Sequence, residues 1–105
     1  MMRTDPGAKL LLSYDMNTND PNAYYRFVMG QYIPKMQEMG LEISEAWHTA
    51  YGNFPNRLIG FVCRNTQTVL DLLENDKWLD LNQELEKYVT NFTYKVIHYR
   101  EGFQF

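Results

Sequence analysis

Residues 41–63 read LEISEAWHTAYGNFPNRLIGFVC, and this stretch decides the fold because it contains two strand-like segments joined by a turn-rich connection. Strands are predicted over residues 41–51 and 57–63, with the turn formers of Gly52–Asn56 between them. The two strands should therefore pair antiparallel as a hairpin. The second strand is apolar on both sides, because Ile59, Phe61 and Cys63 alternate with Leu58, Gly60 and Val62.

Upstream of the hairpin, the sequence predicts one strand and one long helix. Residues 9–15 alternate as a strand does, with Leu10, Leu12 and Tyr14 on one face. A helix is predicted over residues 21–39, since Asp20 can cap its free N–H groups and a proline occupies its first position. Gly40 suits the left-handed residue that ends such a helix.

Both helical regions contain a position where the regular helix is expected to break. Pro34 lacks the N–H that an α-helical bond requires, so a kink or break is expected near Gly30–Ile33. The second helical region should begin at a cap supplied by Thr66 or Thr68. Asn75-Asp76 is expected to divide it into a short helix and a longer one.

A last strand over residues 90–100 completes the order β-α-β-β-α-β. Two βαβ-like halves joined by a hairpin form the split βαβ, or ferredoxin-like, arrangement, which is an α+β fold with a four-stranded antiparallel sheet. Right-handed crossovers place both helices on one face of the sheet. The other face also carries apolar residues, so we expect a two-fold homodimer in which two sheets stack; a monomer with an exposed patch is the alternative.

The bulk composition limits the classes of function. The 105 residues suffice for one domain, predicted as residues 9–105 behind a disordered leader of residues 1–8. The net charge of −3, with scattered Lys and Arg, argues against nucleic-acid and membrane partners. No apolar run suits a signal peptide or a membrane span, so a cytoplasmic location is expected. Cys63 is the only cysteine and is interpreted as a packing residue, with neither an intrachain disulfide nor a Cys-based zinc site.

The segment Trp47–Asn56, which reads WHTAYGNFPN, resembles the aromatic-x-Thr-x-Tyr-Gly pattern of the NIPSNAP family. The Ile33-Pro34 step, Gly40 and Trp78 are also similar to that group. Over nearly the whole chain, the order of elements resembles that of the dimeric α/β-barrel superfamily of ferredoxin-like proteins. The resemblance implies a dimeric α/β barrel more strongly than an activity, because the superfamily includes cofactor-free monooxygenases, haem-degrading enzymes and enzymes similar to muconolactone isomerase.

Three ionisable residues are candidates for chemistry. His48 and His98 are the only histidines, and histidine is the natural proton shuttle near neutral pH. Glu45 has apolar neighbours along its strand, which suits a general acid or base; the alternative is a position at a sheet end or an ion pair with Arg57 or Lys95. No metal site is predicted, because the spacings His-x-His, His-x-x-x-His and Glu-x-x-His are missing from the sequence, and no cofactor is predicted.

Aromatic residues are candidates for a ligand pocket between the sheet and its helices. The predicted ligand-binding residues are Tyr14, Tyr24, Trp47, His48, Tyr51 and His98, with Tyr25 as a further pocket-lining candidate. Arg57 could clamp a carboxylate ligand, although a solvated arginine is the commoner case. By resemblance to haem-degrading relatives, Asn17, Trp47 and His98 have the residue types of an Asn–Trp–His set.

Two functions of different class fit these residues. The first is a binding module that holds an apolar or aromatic small molecule without chemistry. The second is a cofactor-independent monooxygenase or isomerase that acts on an aromatic substrate, with His48 or His98 as the base. An inward His or Glu hydrogen-bonded to a second group would favour the enzyme, and a pocket with no inward ionisable group would favour the binding module.

Overall fold

The computed structural model describes residues 7–51 and 54–98, and over residues 47–51 and 54–56 it describes the backbone alone. The strands are β1 (Ala8–Met16), β2 (Glu42–Tyr51), β3 (Phe54–Cys63) and β4 (Val89–His98). The helices are α1 (Pro21–Phe27), α2 (Ile33–Glu38), α3 (Thr66–Leu73) and α4 (Asp76–Leu85), with a π-helical turn over Val28–Tyr32 between α1 and α2. Among these described helices, none is both long and apolar enough to cross a membrane.

The four strands form one antiparallel sheet in the order β2-β3-β1-β4, which is the predicted ferredoxin-like order. β1 lies inside the sheet, where Leu12 pairs with Ile59 of β3 and with Tyr94 of β4. The strand begins at Ala8, which is fully buried and falls within the segment predicted as a leader. Residues 1–6 of that segment, and residues 99–105 at the other end, lie outside the described residues.

The first helical region follows its predicted start and stop signals. The Asp20 side chain accepts a hydrogen bond from the backbone N–H of Ala23, and Gly40 has the left-handed φ of 92°. The predicted break takes the form of the π-helical turn, in which the N–H of Ile33 donates to the carbonyl of Val28, five residues back. Pro34 follows directly and cannot donate, so the wider turn forms where the α-helical ladder is interrupted.

The second helical region also divides where predicted. Asn75 accepts a hydrogen bond from the N–H of Lys77 and caps α4, which confirms the interruption at Asn75-Asp76. The cap of α3 is Asn65, whose side chain accepts from the N–H of Thr68, so the prediction of Thr66 or Thr68 was wrong. A cap residue needs non-helical dihedrals, and Asn65 is extended whereas Thr66 is already helical.

The helices cover one face of the sheet, and the hydrophobic core lies between the two layers. β1 shows which face is covered, because its buried and half-buried residues alternate along the strand. β3 follows the same rule with Ile59, Phe61 and Cys63 buried, as its sequence predicts. The sheet residues of the core are Ala8, Leu10, Leu12, Tyr14, Ile59, Phe61, Cys63 and Val89.

The opposite side of the sheet, called here the open face, has no helix over it in the described part of the chain. Its described residues include Lys9, Leu11, Ser13, Leu58, Gly60, Val62, Glu45, Lys95 and Ile97, which pair with one another across the strands. A register shift between Ile43 and Glu45 places Ile43 opposite buried Phe61 and Glu45 opposite Gly60. Simple alternation would put Ile43 and Glu45 on the same face, so the bulge decides that Glu45 belongs to the open face.

Candidate functional site

Four residues from three elements meet at the end of the sheet where β1 finishes. They are Tyr14 of β1, Tyr24 and Tyr25 of α1, and Arg57 of β3, and we call them the tyrosine–arginine cluster. Tyr14 and Arg57 are paired in the β1–β3 register, which puts both side chains on the helix-covered face. The helix start at Pro21 then places the two consecutive tyrosines of α1 over this pair.

The two inner tyrosines form a buried hydroxyl pair. The hydroxyl oxygens of Tyr14 and Tyr24 lie 2.5 Å apart and share a hydrogen bond, and their rings meet edge to face. Phe92 of β4 also stacks on Tyr14, with 6.3 Å between ring centres. Burial raises the pKa of Tyr14 far above its usual value, and the neighbouring Tyr24 adds to this effect. Both phenols of the pair therefore stay neutral at physiological pH and can exchange hydrogen bonds but not act as bases.

Arg57 forms the cationic part of the cluster. Its Nη2 donates to the hydroxyl of Tyr25 at 2.6 Å, and its guanidinium carbon lies 5.4 Å from the centre of the Tyr25 ring and 5.9 Å from that of Tyr24. Such cation–π contacts contribute about 0.5–2 kcal/mol each, depending on exposure. The Nε of Arg57 is buried and has no hydrogen-bond acceptor among the described residues. The cluster thus holds a fixed positive charge with a buried donor, Nε, that has no acceptor among the described residues.

The backbone places three further predicted residues at the same end of the sheet. In the β2–β3 register, His48 pairs with Arg57, Trp47 with Leu58, and Tyr51 with Phe54. The side chains of Trp47, His48 and Tyr51 fall outside what the structure describes, so their part in a pocket stays a prediction.

His98 lies at the opposite end of the sheet from the cluster. It pairs with Ala8, whereas Arg57 pairs with Tyr14, six residues further along β1. At about 3.3 Å per residue, these positions are separated by about 20 Å. His98 is exposed there. The structure therefore does not bring His98 together with Tyr14 and Tyr24 as a shared pocket requires. Asn17 directly follows β1, so the structure separates His98 from Asn17 as well. The alignment of β4 with β1, and not the residue types, sets this distance.

Glu45 forms an ion pair that the sequence did not predict. Its carboxylate binds Lys9 Nζ across β3, not Arg57 or Lys95. Both side chains lie on the open face, with exposed fractions of 22% for Glu45 and 15% for Lys9. Glu45 therefore lies on the other side of the sheet from the tyrosine–arginine cluster and cannot supply a carboxylate to it.

A separate cleft of about 420 Å³ lies between the first helical region and α4. Buried Phe27 and Leu81 contribute apolar surface to it. Its other lining residues are Gln31, Lys35, Glu38, Met39, Lys77, Asp80 and Glu84. Tyr14, Tyr24 and His98, the predicted ligand-binding residues whose side chains are described, do not line this cleft. Charges of both signs alternate around it, as is usual for solvated helix surfaces.

A second buried polar network has a structural role. The hydroxyl of Tyr32 donates to Asn82 Oδ1 at 2.7 Å and accepts from Trp78 Nε1 at 3.2 Å. These bonds satisfy three buried polar groups between the π-helical turn and α4. Within the described part of the chain, no group of three or more His, Cys, Asp or Glu residues is placed to hold a metal ion.

The contact between Tyr25 and Arg57 is the feature that sequence reasoning missed. The sequence predicts a role for each residue separately, Tyr25 as a pocket-lining ring and Arg57 as a carboxylate clamp. The available signal was the Tyr24-Tyr25 pair in the second turn of a helix that follows β1, since successive helical residues point about 100° apart and can flank one side chain.

Comparison with known proteins yields likeness in structure only, since the sequence matches no family model and no curated protein. An uncharacterised NIPSNAP domain protein from Burkholderia xenovorans superposes with a TM-score of 0.65 at 6% identity, over 89% of this chain and 94% of that one. A NIPSNAP family protein of unknown function from Agrobacterium tumefaciens gives 0.63 at 11% identity, over 92% and 91%. A dimeric ferredoxin-like protein from an uncultured marine organism gives 0.60 at 14% identity, over 97% and 93%. The predicted resemblance is confirmed at the level of the fold: the chain has the ferredoxin-like α+β fold that is found in NIPSNAP proteins.

Proposed function

We propose that this chain is a small, soluble, cytoplasmic binding protein that acts as a homodimer and holds an apolar or aromatic small molecule without catalysing a reaction on it. The tyrosine–arginine cluster is the observation that carries this proposal, because three phenol rings and a guanidinium meet at one end of the sheet. Aromatic rings with a few oriented polar groups are the usual lining of small-molecule sites.

The cluster has a buried side and an accessible side. Tyr14 and Tyr24 are 1% and 2% exposed, whereas Tyr25 is 42% exposed and presents a ring to solvent. A flat ligand that stacks on Tyr25 would lie beside the guanidinium of Arg57. The β2 backbone at His48 runs next to Arg57, so that this part of β2 would form another wall of the proposed site.

The open face supports the homodimer. Its centre is apolar, with half-buried Leu11, Leu58, Val62 and Ile97. The one charged pair described at its centre, Lys9 with Glu45, is neutral as a unit, and burying a paired charge costs far less than burying a lone one. Lys95 also belongs to this face, but it lies on the edge strand β4 and is exposed, so its long side chain can keep the ammonium group in solvent. A second copy related by a two-fold axis would cover this surface with an identical one. The dimeric ferredoxin-like protein of similar fold gives a precedent for such an assembly.

The size of the open face is sufficient for a specific interface. Strands of nine or ten residues that rise about 3.3 Å per residue and lie about 4.8 Å apart form a sheet of about 30 Å by about 19 Å. Each protomer then offers about 570 Å² of flat area, and more once side-chain relief is included. Two stacked faces exceed the roughly 1,000 Å² of total buried surface that a specific interface needs.

The second candidate function is a cofactor-independent monooxygenase or isomerase that acts on an aromatic substrate. The observation that favours it is the backbone register, in which His48 of β2 pairs with Arg57 of β3, so that a residue able to act as a base neighbours a residue with a fixed positive charge. A guanidinium at that place would stabilise an anionic intermediate formed when His48 removes a proton.

One experiment separates the binding module from the enzyme. Melting temperatures are measured with a panel of aromatic compounds for the unaltered chain, for Tyr25→Ala and for His48→Ala, and each compound is followed for turnover. Tyr94→Ala is the matched control, because Tyr94 is 49% exposed and lies outside the cluster. The binding module predicts melting shifts that Tyr25→Ala removes and Tyr94→Ala preserves, with no turnover in any form.

Turnover that His48→Ala abolishes would replace the binding module with the enzyme. If no aromatic compound shifts the melting temperature of the unaltered chain, the proposed function is wrong.

A further inference from the structure

We infer that the ligand of the tyrosine–arginine cluster is an aromatic carboxylate, whose anionic group pairs with the guanidinium of Arg57. This inference rests on the proposed function, since it names the chemical class of the small molecule that the cluster would hold. It goes further because it assigns the charge of the ligand and the residue that selects for it.

The charge of Arg57 is not balanced by any described carboxylate. Among the described residues, no Asp or Glu forms an ion pair with its guanidinium, although other cations of the chain have carboxylate partners: Lys9 pairs with Glu45, and Lys87 with Glu84. Asp15, the next residue after Tyr14, accepts a hydrogen bond from Asn91 instead. A half-buried guanidinium among aromatic rings therefore has a positive charge that an anionic ligand would neutralise.

The geometry of the buried donor suits a carboxylate. Nε is buried without a described acceptor, and it lies on the same edge of the guanidinium as one Nη group. This edge is the planar fork that binds both oxygens of a carboxylate. Tyr25 accepts a hydrogen bond from Nη2 and its ring lies against the guanidinium, which fixes the guanidinium plane. Because Nε itself is buried, a carboxylate reaches both donors of the fork only after a neighbouring side chain moves aside.

The exposed ring of Tyr25 suits a ligand that also has an apolar part. A carboxylate alone would satisfy the fork but would leave the exposed ring of Tyr25 without a contact. A molecule that joins a carboxylate to an aromatic ring can pair with Arg57 and stack on Tyr25 at the same time. A hydrogen bond joins the guanidinium of Arg57 to the hydroxyl of Tyr25, so the fork and the ring lie side by side. This arrangement favours an aromatic carboxylate over a free inorganic anion.

The test compares 2-naphthoate with 2-naphthamide, which has nearly the same shape but no charge, by NMR titration at neutral pH. We expect the unaltered chain to bind the naphthoate at least about tenfold more tightly, and Arg57→Gln to remove this preference. Arg64→Gln is the matched control, because Arg64 is exposed and follows β3 at its far end, so this variant loses the same charge away from the cluster. Arg57→Lys keeps the charge but lacks the fork, and should lose most of the preference while remaining folded.

Three results would overturn the inference. Equal affinities of the two probes for the unaltered chain would exclude charge recognition and leave the proposed function standing. An equal loss of naphthoate affinity in Arg57→Gln and Arg64→Gln would show that net charge, not the fork, is responsible. Binding of neither probe would refute the carboxylate class, and the wider aromatic panel then decides separately whether the proposed function fails as well.

Discussion

Gly60 lies directly beneath the carboxylate of Glu45: a Cβ built on Gly60 would come within 2.8 Å of Glu45 Oε1 and 3.1 Å of Lys9 Cε. The missing side chain in β3 allows the ion pair of Lys9 and Glu45 to reach from β1 to β2 across the sheet. The open face stays flat at this point because the two charged side chains lie along it. A flat surface is what the stacking of two sheets requires.

The first prediction concerns this flat surface. Gly60→Ala should push the Lys9–Glu45 pair away from the sheet and raise the dissociation constant of the dimer by about tenfold, since overpacking of about 1–3 kcal/mol is usual at tight contacts. Sedimentation equilibrium measures this constant. Gly30→Ala is the control, because a Cβ there meets nothing within 4 Å. An unchanged dimer in Gly60→Ala would mean that the pair does not lie in an interface.

The second prediction concerns the apolar centre of the open face. Leu11→Lys places a charge opposite Gly60 and next to Lys95, and a lone charge buried under the partner would cost several kcal/mol. The variant should therefore be monomeric at micromolar concentration in size-exclusion chromatography with light scattering. Leu79→Lys makes the same exchange at a residue of α4 that is 45% exposed, and should leave the assembly intact. Equal behaviour of the two variants would argue against the open face as the interface.

The third prediction concerns the buried network of Tyr32. Tyr32→Phe removes the hydroxyl that donates to Asn82 and accepts from Trp78, which leaves two buried polar groups without this partner. The free energy of unfolding should fall by about 1–3 kcal/mol in urea denaturation. Tyr94→Phe, at a hydroxyl on a half-exposed side chain, should change it by less than about 0.5 kcal/mol. Equal effects would show that the network adds nothing to stability.

The fourth prediction concerns alkaline pH. Burial is the largest cause that raises the pKa values of Tyr14, Tyr24 and Tyr32. Since these values are raised in the folded state, the stability that the three groups contribute is fully present below the unfolded value of about 10 and is lost as pH rises beyond it. Ultraviolet absorbance of tyrosinate should show at least three of the eight tyrosines ionising only when circular dichroism reports unfolding. Ionisation of all eight while the chain stays folded would contradict the buried hydroxyl pair.

The sequence predicted most of the fold because its local signals agree with one another. Asp20, Gly40 and Asn75 each mark a helix end through their own side chain or backbone preference, and the structure uses all three. The start of β3 was harder to place, because Phe54 and Pro55 read as turn formers yet pair with Tyr51 and Ala50. Pairing with a partner strand outweighed local turn preference there.

The candidate site could be predicted only in part. Alternation along β1 placed Tyr14 on the core side, and the helix after β1 brought Tyr24 to it, so this pair follows from local patterns. The separation of His98 from the cluster depends on how β4 aligns with β1, and alternation within a strand contains no information about register. The bulge that turns Glu45 to the open face is likewise invisible to period-two reasoning.

The mass of the particle in solution tests the central claim most directly, because the proposed assembly depends on a sheet face that a second copy covers. Sedimentation equilibrium at micromolar concentration should give about 25 kDa, twice the chain mass of 12.5 kDa, and this mass should be stable on tenfold dilution. A single species of 12.5 kDa across the same range would contradict the account.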